Sequence, residues 1–138
     1  MIVRAIFPAF VLAFTACAHA QAPAKFTGTL SCSLSKCHGD TKGKSDYPKL
    51  NEALVWGQQG KHFKSFETLT NESLKSGKSP SKIAKALNIT QAETSDRCLA
   101  CHALNVKPEL RGQRFKLADG VQCEACHGPG QNWLEAHA

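Results

Sequence analysis

Residues 97–106 read Arg-Cys-Leu-Ala-Cys-His-Ala-Leu-Asn-Val, and residues 120–130 read Gly-Val-Gln-Cys-Glu-Ala-Cys-His-Gly-Pro-Gly. Each stretch holds two cysteines three positions apart with a histidine directly after: Cys98, Cys101 and His102, then Cys123, Cys126 and His127. A looser copy, Cys32-Ser33-Leu34-Ser35-Lys36-Cys37-His38, has two extra residues between its thiols. C-x-x-C-H is the attachment motif of c-type haem. Two thiols so spaced sit on one helical turn and reach the two vinyl groups of a porphyrin. The histidine that follows is then carried under the iron as the proximal ligand. In the early copy a bulged loop must absorb the extra residues, while the second cysteine and its histidine keep their spacing.

The start of the chain bears on how these cysteines are read. Arg4 supplies a positive n-region, and Ile6 to Ala16 is apolar but too short to cross a bilayer as a helix. Ala18-His19-Ala20 fits a signal-peptidase site, so residues 1–20 read as a cleaved signal peptide and 21–138 as the domain, which is expected in the periplasm. A rival reading takes Phe14-Thr15-Ala16-Cys17 as a lipobox, with Cys17 lipidated and the protein on a membrane; Phe14 is a poor first residue for it.

An oxidising compartment does not tolerate six loose thiols. Once Cys17 is removed, Cys32, Cys37, Cys98, Cys101, Cys123 and Cys126 make three pairs with none over. Two other uses compete with haem. The later pairs resemble a zinc ribbon, but zinc needs no histidine after each pair and leaves Cys32, Cys37 and His38 unexplained. Disulfides between near neighbours would close only tiny loops. The expectation is three haem c groups, with His38, His102 and His127 as proximal iron ligands.

Distal ligands are scarcer. Beyond the proximal three, the mature chain offers His62 and His137 only, and its one methionine is the initiator. Two irons can thus be bis-histidine, which favours low potentials. The third is five-coordinate or takes lysine, water or a partner's side chain. His62 precedes Phe66 and Leu69 at helical spacing and otherwise reads as a surface histidine in a Lys-rich loop. His137 is penultimate, where chains fray. Trp56 and Trp133 read as haem-packing or core aromatics.

The rest of the chain predicts a mainly α fold of short helices and loops packed around three covalently bound haems. Residues 21–31 read as an extended lead, and 35–48 as loop. Leu50, Leu54, Phe63, Phe66 and Leu69 recur at helical spacing, broken near Gly57 and Gly60. Ser79 and Pro80 mark a helix start, burying Ile83 and Leu87 and stopping near Asn88. Thr90 and Glu93 fit a capping box leading into Cys98. No segment alternates like a strand. Aromatics make up only 7% of the chain, so the macrocycles are expected to supply much of the core.

The formal charge is +6, or +5 without Arg4. Lys42, Lys44, Lys49, Lys61, Lys64, Lys75, Lys78, Lys82 and Lys85 read first as a solvated face offsetting haem propionates. The second reading is a docking surface for a redox partner with an acidic face. No aromatics interleave them, so a nucleic-acid partner is not expected. Glu124, Arg111, Arg114 and Asp119 read as solvated or propionate-pairing residues.

The sequence resembles the cytochrome c-554 family of multihaem cytochromes. The likeness rests on the early Cys…Cys-His, on GKHFKSFETL (60–69), on RCLACHALNV (97–106) and on GVQCEACHGPGQNWLEAH (120–137). It implies that His62 and His137 are distal ligands, without saying which iron each serves. Relatives commonly have a fourth motif or a longer C-terminal region, so the resemblance reads this chain as a minimal triheme version or as the front part of a truncated or split gene. The expected function is one-electron transfer through closely spaced haems. The alternative is a haem enzyme acting on nitric oxide, nitrite or hydroxylamine at a five-coordinate iron, and a third reading is a subunit of a larger multihaem complex. No acid-base group stands out as catalytic.

Overall fold

A computed structural model describes residues 22–73 and 79–137. The expected signal segment, with Cys17, and the lysines Lys75 and Lys78 lie outside the described residues. Within them the chain is mainly helical, in short pieces: α1 Glu52–Gln59, α2 Pro80–Ala86, α3 Asp96–His102, α4 Glu124–His127 and α5 Leu134–His137, joined by single 3₁₀ turns and loops. Among the described residues there is no strand. Phe26 and Arg111 form one isolated parallel bridge.

Local chemistry explains most of the boundaries. α1 ends where Gly60 leaves the helix, its N–H bonded to the Trp56 carbonyl at 3.0 Å. Gly57, the other expected breaker, stays inside. α2 starts as anticipated, with Pro80 at its first position and the Ser79 hydroxyl accepting the Lys82 N–H at 3.3 Å. It stops by Asn88, whose φ of 54° is a left-handed conformation that asparagine tolerates. Ser79→Ala should therefore cost about 1 kcal/mol of stability in a denaturant titration of the holoprotein; no change would show that α2 is held by its packing alone.

Two local expectations are corrected. Ile83 and Leu87 are 42% and 43% exposed, and the helix buries Pro80 and Ala84 instead. The Thr90–Glu93 capping box does not form: Ala92–Thr94 is a separate 3₁₀ turn, and α3 begins at Asp96 after an extended Ser95. The turn between them is too tight for one helix to run through.

The protein core is slight. Leu69, Ala92, Leu99 and Ala103 form its centre, with Phe66, Cys98 and Leu117 packed against it. This cluster sits beneath α3 and fixes the second motif. The first and third motifs are joined differently, by the extended lead. Phe26 N–H donates to the Leu110 carbonyl and Gly112 N–H to the Phe26 carbonyl, both at 2.8 Å. Gly28 follows with φ 86°, where a Cβ would collide with the Arg114 carbonyl oxygen. Only glycine lets the lead lie this close.

Candidate functional site

In α3 the thiols of Cys98 and Cys101 and the ring of His102 are set on successive helical positions. Cys123 and α4 repeat the arrangement, with the His127 N–H bonded to the Cys123 carbonyl at 3.1 Å and Gly128 (φ 75°) ending the turn. The first motif achieves the same end without a helix. Cys37 N–H bonds the Leu34 carbonyl at 2.8 Å and His38 N–H bonds the Cys32 carbonyl at 3.0 Å, so the two extra residues fold into a closed bulge. The six motif cysteines are free thiols.

Two of the three proximal candidates have their outer ring nitrogen committed. His38 Nδ1 lies 2.9 Å from Glu52 Oε2. A carboxylate only accepts, so Nδ1 carries a proton and Nε2 is the nitrogen left for a metal. The bond to His38 is the main reason the Glu52 carboxyl is held below its ordinary pKa. That contact is thus present at neutral pH and is lost as pH falls through the lowered value. Glu52 is itself fixed by the Lys49 N–H at 2.8 Å.

His102 Nδ1 lies 2.8 Å from Thr68 Oγ1 and 3.0 Å from the Ser65 carbonyl. The Thr68 hydroxyl donates to that same carbonyl at 2.6 Å. A carbonyl cannot donate, so His102 also carries its proton on Nδ1. Such outer partners orient metal-bound histidines and fix their tautomer. Glu52 and Thr68 were missed from the sequence because neither lies near its histidine in the chain. For Glu52, its place in the first turn of a helix after the first motif was the one available signal.

The distal candidates are placed differently. His137 belongs to α5, its N–H bonded to the Trp133 carbonyl at 2.9 Å and its ring edge-on to Trp133 at 5.7 Å. Its ring is parallel to that of His38 within 5°, with centroids 6.0 Å apart. The two histidines are near enough that both would be available to a haem iron held at the first motif. His62 is exposed and lies in a turn ahead of the 3₁₀ segment Phe66–Leu69, not on a shared helical face as its spacing suggested. Its carbonyl accepts the Val121 N–H at 3.0 Å, which brings its backbone beside the third motif.

Cys32 and Cys123 meet. The neighbouring thiol is the main influence that pushes Cys32 up and brings Cys123 down to about 6. The first and third motifs, far apart in sequence, are therefore neighbours. Among the described residues no three His, Cys, Asp or Glu side chains converge on a point.

A cavity of about 460 Å³ opens beside the second motif, lined by Cys98, Cys101, His102, Leu69, Ile83 and Leu87 among others. It falls within the roughly 300–1,000 Å³ of cofactor pockets, and it accounts for the exposed Ile83 and Leu87. A hollow of about 480 Å³ behind α3, with Lys107, Arg111 and Asp96 in its lining, touches no cysteine or histidine. Two buried oxygens next to the other motifs, Thr29 Oγ1 and Gln122 Oε1, have no partner. Free thiols, proton-committed imidazoles and an apolar cavity fit a thioether-bound haem.

Glu124 corrects the sequence reading. It is 2% exposed, so it is neither solvated nor available to a propionate. Its carboxylate accepts the N–H groups of Thr27, Gly28 and Gly130, each at 2.7 Å. Arg111 turns its Nε to the Val106 carbonyl at 2.9 Å and lies 5.5 Å over the Phe115 ring.

A family model described as cytochrome c554 and c-prime matches residues 31–128. The chain is 29% identical over 140 residues to a cytochrome c-554 from Nitrosomonas europaea, an alignment that takes in 99% of this chain and 52% of the relative. The chain thus spans about half the length of the curated relative it matches. No solved structure matches it.

Proposed function

The chain belongs to the cytochrome c554 and c-prime family, and from that premise we propose that it is a periplasmic triheme c-type cytochrome that carries single electrons. Residues 1–20 are its signal peptide and 21–138 its haem domain. The observation that carries the reading is the tie between the first motif's lead and the third motif, Thr27 and Gly28 N–H to the Glu124 carboxylate at 2.7 Å, which supports two attachment sites close enough for electron transfer.

Bound haem supplies a one-electron ferric/ferrous couple. The chain's residues do the rest. Cys32 and Cys37, Cys98 and Cys101, and Cys123 and Cys126 hold the three macrocycles by thioethers. His38, His102 and His127 are the proximal ligands, the first two aimed by Glu52 and Thr68. The parallel rings of His38 and His137 support a bis-histidine pair on the first iron. The backbone of His62, tied to Val121, supports its service to the third. Two hydrogen-bonded imidazoles favour low potentials.

The basic loop after the first motif supports an acidic-faced redox partner. Lys36, Lys42, Lys44 and Lys49 are exposed there around Tyr47, which is 86% exposed. A place in a larger multihaem complex would use the same surface.

One observation favours the enzymatic alternative. Among the described residues lining the cavity at His102, none offers a second strong iron ligand: the lining is apolar apart from Thr68, Arg97 and the motif itself. An iron held there keeps a site for nitric oxide, nitrite or hydroxylamine. Mass spectrometry of the purified protein should give three added haems. Low-temperature EPR should show one high-spin ferric centre, and nitric oxide added to the reduced protein should bind at that centre alone. Three low-spin centres inert to nitric oxide would eliminate the catalyst and leave the carrier; fewer than three haems would eliminate the triheme reading.

A further inference from the structure

The second and third motifs differ at one inner position. Cys98-Leu99-Ala100-Cys101-His102 and Cys123-Glu124-Ala125-Cys126-His127 are otherwise the same. Leu99 and Glu124 are both buried, at 4% and 2% exposure. One haem site therefore has an aliphatic side chain where the other has a carboxylate.

That carboxylate faces donors only. Its partners are the Thr27, Gly28 and Gly130 N–H groups at 2.7 Å and the Thr27 hydroxyl at 3.2 Å. Every one of them is a donor, so the group acts purely as an acceptor. All of them are neutral. The ion pair found among the described residues, His38 with Glu52, lies elsewhere. Burying a charge without a cation is costly, and tying two loops together does not by itself call for a full negative charge.

We propose that Glu124 is a fixed anion that lowers the reduction potential of the third-motif haem, separating it from the second, where Leu99 holds the same position. The iron takes one electron, Fe(III) + e⁻ → Fe(II), delivered by an external reductant. A buried negative charge opposes that added electron and leaves the ferric form favoured. At an effective dielectric near 20, a charge about 10 Å away changes the reduction equilibrium roughly tenfold. For one electron that is about 59 mV. Glu124 touches no reacting atom; it acts through its field.

The inference rests on the third motif carrying a haem, and the two are tested separately. Haem content by mass spectrometry comes first: no haem at the third motif would sink that reading of the site and this inference with it. The third centre is then identified in a spectroelectrochemical titration of the holoprotein as the one lost in the double variant Cys123→Ala, Cys126→Ala. Glu124→Gln should raise that midpoint potential by about 59 mV, the roughly tenfold effect, and leave the second-motif potential near its original value. Glu124→Asp, which keeps the charge, and Thr27→Val, which removes only a neutral partner, should move it far less. An unchanged potential in Glu124→Gln overturns the inference, as does an equal shift in Glu124→Asp, which would mark a purely structural tie. Should Glu124→Gln fail to incorporate haem, Thr27→Lys carries the test by setting an ammonium against the intact carboxylate. A rise in the same potential supports the fixed-charge role, and no rise rejects it.

Discussion

Made without haem, in a host that cannot attach it or with the six motif cysteines replaced by alanine, the chain is expected to lose its cooperative thermal transition altogether. Among the described residues the buried apolar ones are Cys32, Ala53, Leu69, Ala84, Ala92, Leu99 and Ala103. No phenylalanine, tryptophan, valine or isoleucine is among them. A fully buried leucine contributes roughly 1.5–3 kcal/mol, and alanines contribute far less. Ordering a single residue's backbone costs about 1–2 kcal/mol. Two leucines and a few alanines cannot offset that over the described length. The macrocycles are the missing apolar mass, and their covalent links turn binding into folding, as metals do in small domains. Circular dichroism and calorimetry of the haem-free chain should show little helix and no cooperative melt. A sharp transition with holo-like helix content would mean that the protein core suffices, and would leave the exposure of Ile83 and Leu87 unexplained.

The second large effect belongs to His137. Replacing it by alanine should convert one low-spin ferric centre into a high-spin one, with haem content unchanged. Nitric oxide should then bind the reduced protein at two centres rather than one. The argument is geometric: the His38 and His137 rings are parallel at 6.0 Å, and α5 is anchored by the His137 N–H to Trp133 bond. His62→Ala should produce the same change at a different centre, so the double variant should lose both low-spin signals. If His137→Ala leaves the low-spin spectrum untouched, the ring pair is a packing contact and the first iron draws its sixth ligand from elsewhere.

Much of this site was legible in the chain. C-x-x-C-H needs nothing distant: a thiol, a thiol and an imidazole on one turn are positioned by local backbone geometry, and α3 and α4 form where the motifs lie. Ser79-Pro80 is equally local, and its helix begins where they stand. The capping box at Thr90 failed because a 3₁₀ turn at Ala92–Thr94 replaced the helix it would have capped. Ile83 and Leu87 misled because periodicity reports which face is apolar and not what covers it.

Glu124 was misread for a related reason. A glutamate between two cysteines looks solvent-facing in one dimension. Three N–H groups come to it from Thr27, Gly28 and Gly130, and the first two lie almost a hundred residues away. The pairing of His38 with His137, the neighbouring of Cys32 with Cys123 and the approach of His62 to Val121 are of the same kind. Residue type and local spacing were enough to establish the family and the mainly helical class. Which histidine faces which, what lies against His38 and His102, and where a carboxylate is buried came from the folded chain alone. Those depend on the extended lead crossing back over the C-terminal loops, a long-range approach that only the glycine at position 28 permits and that no local pattern encodes.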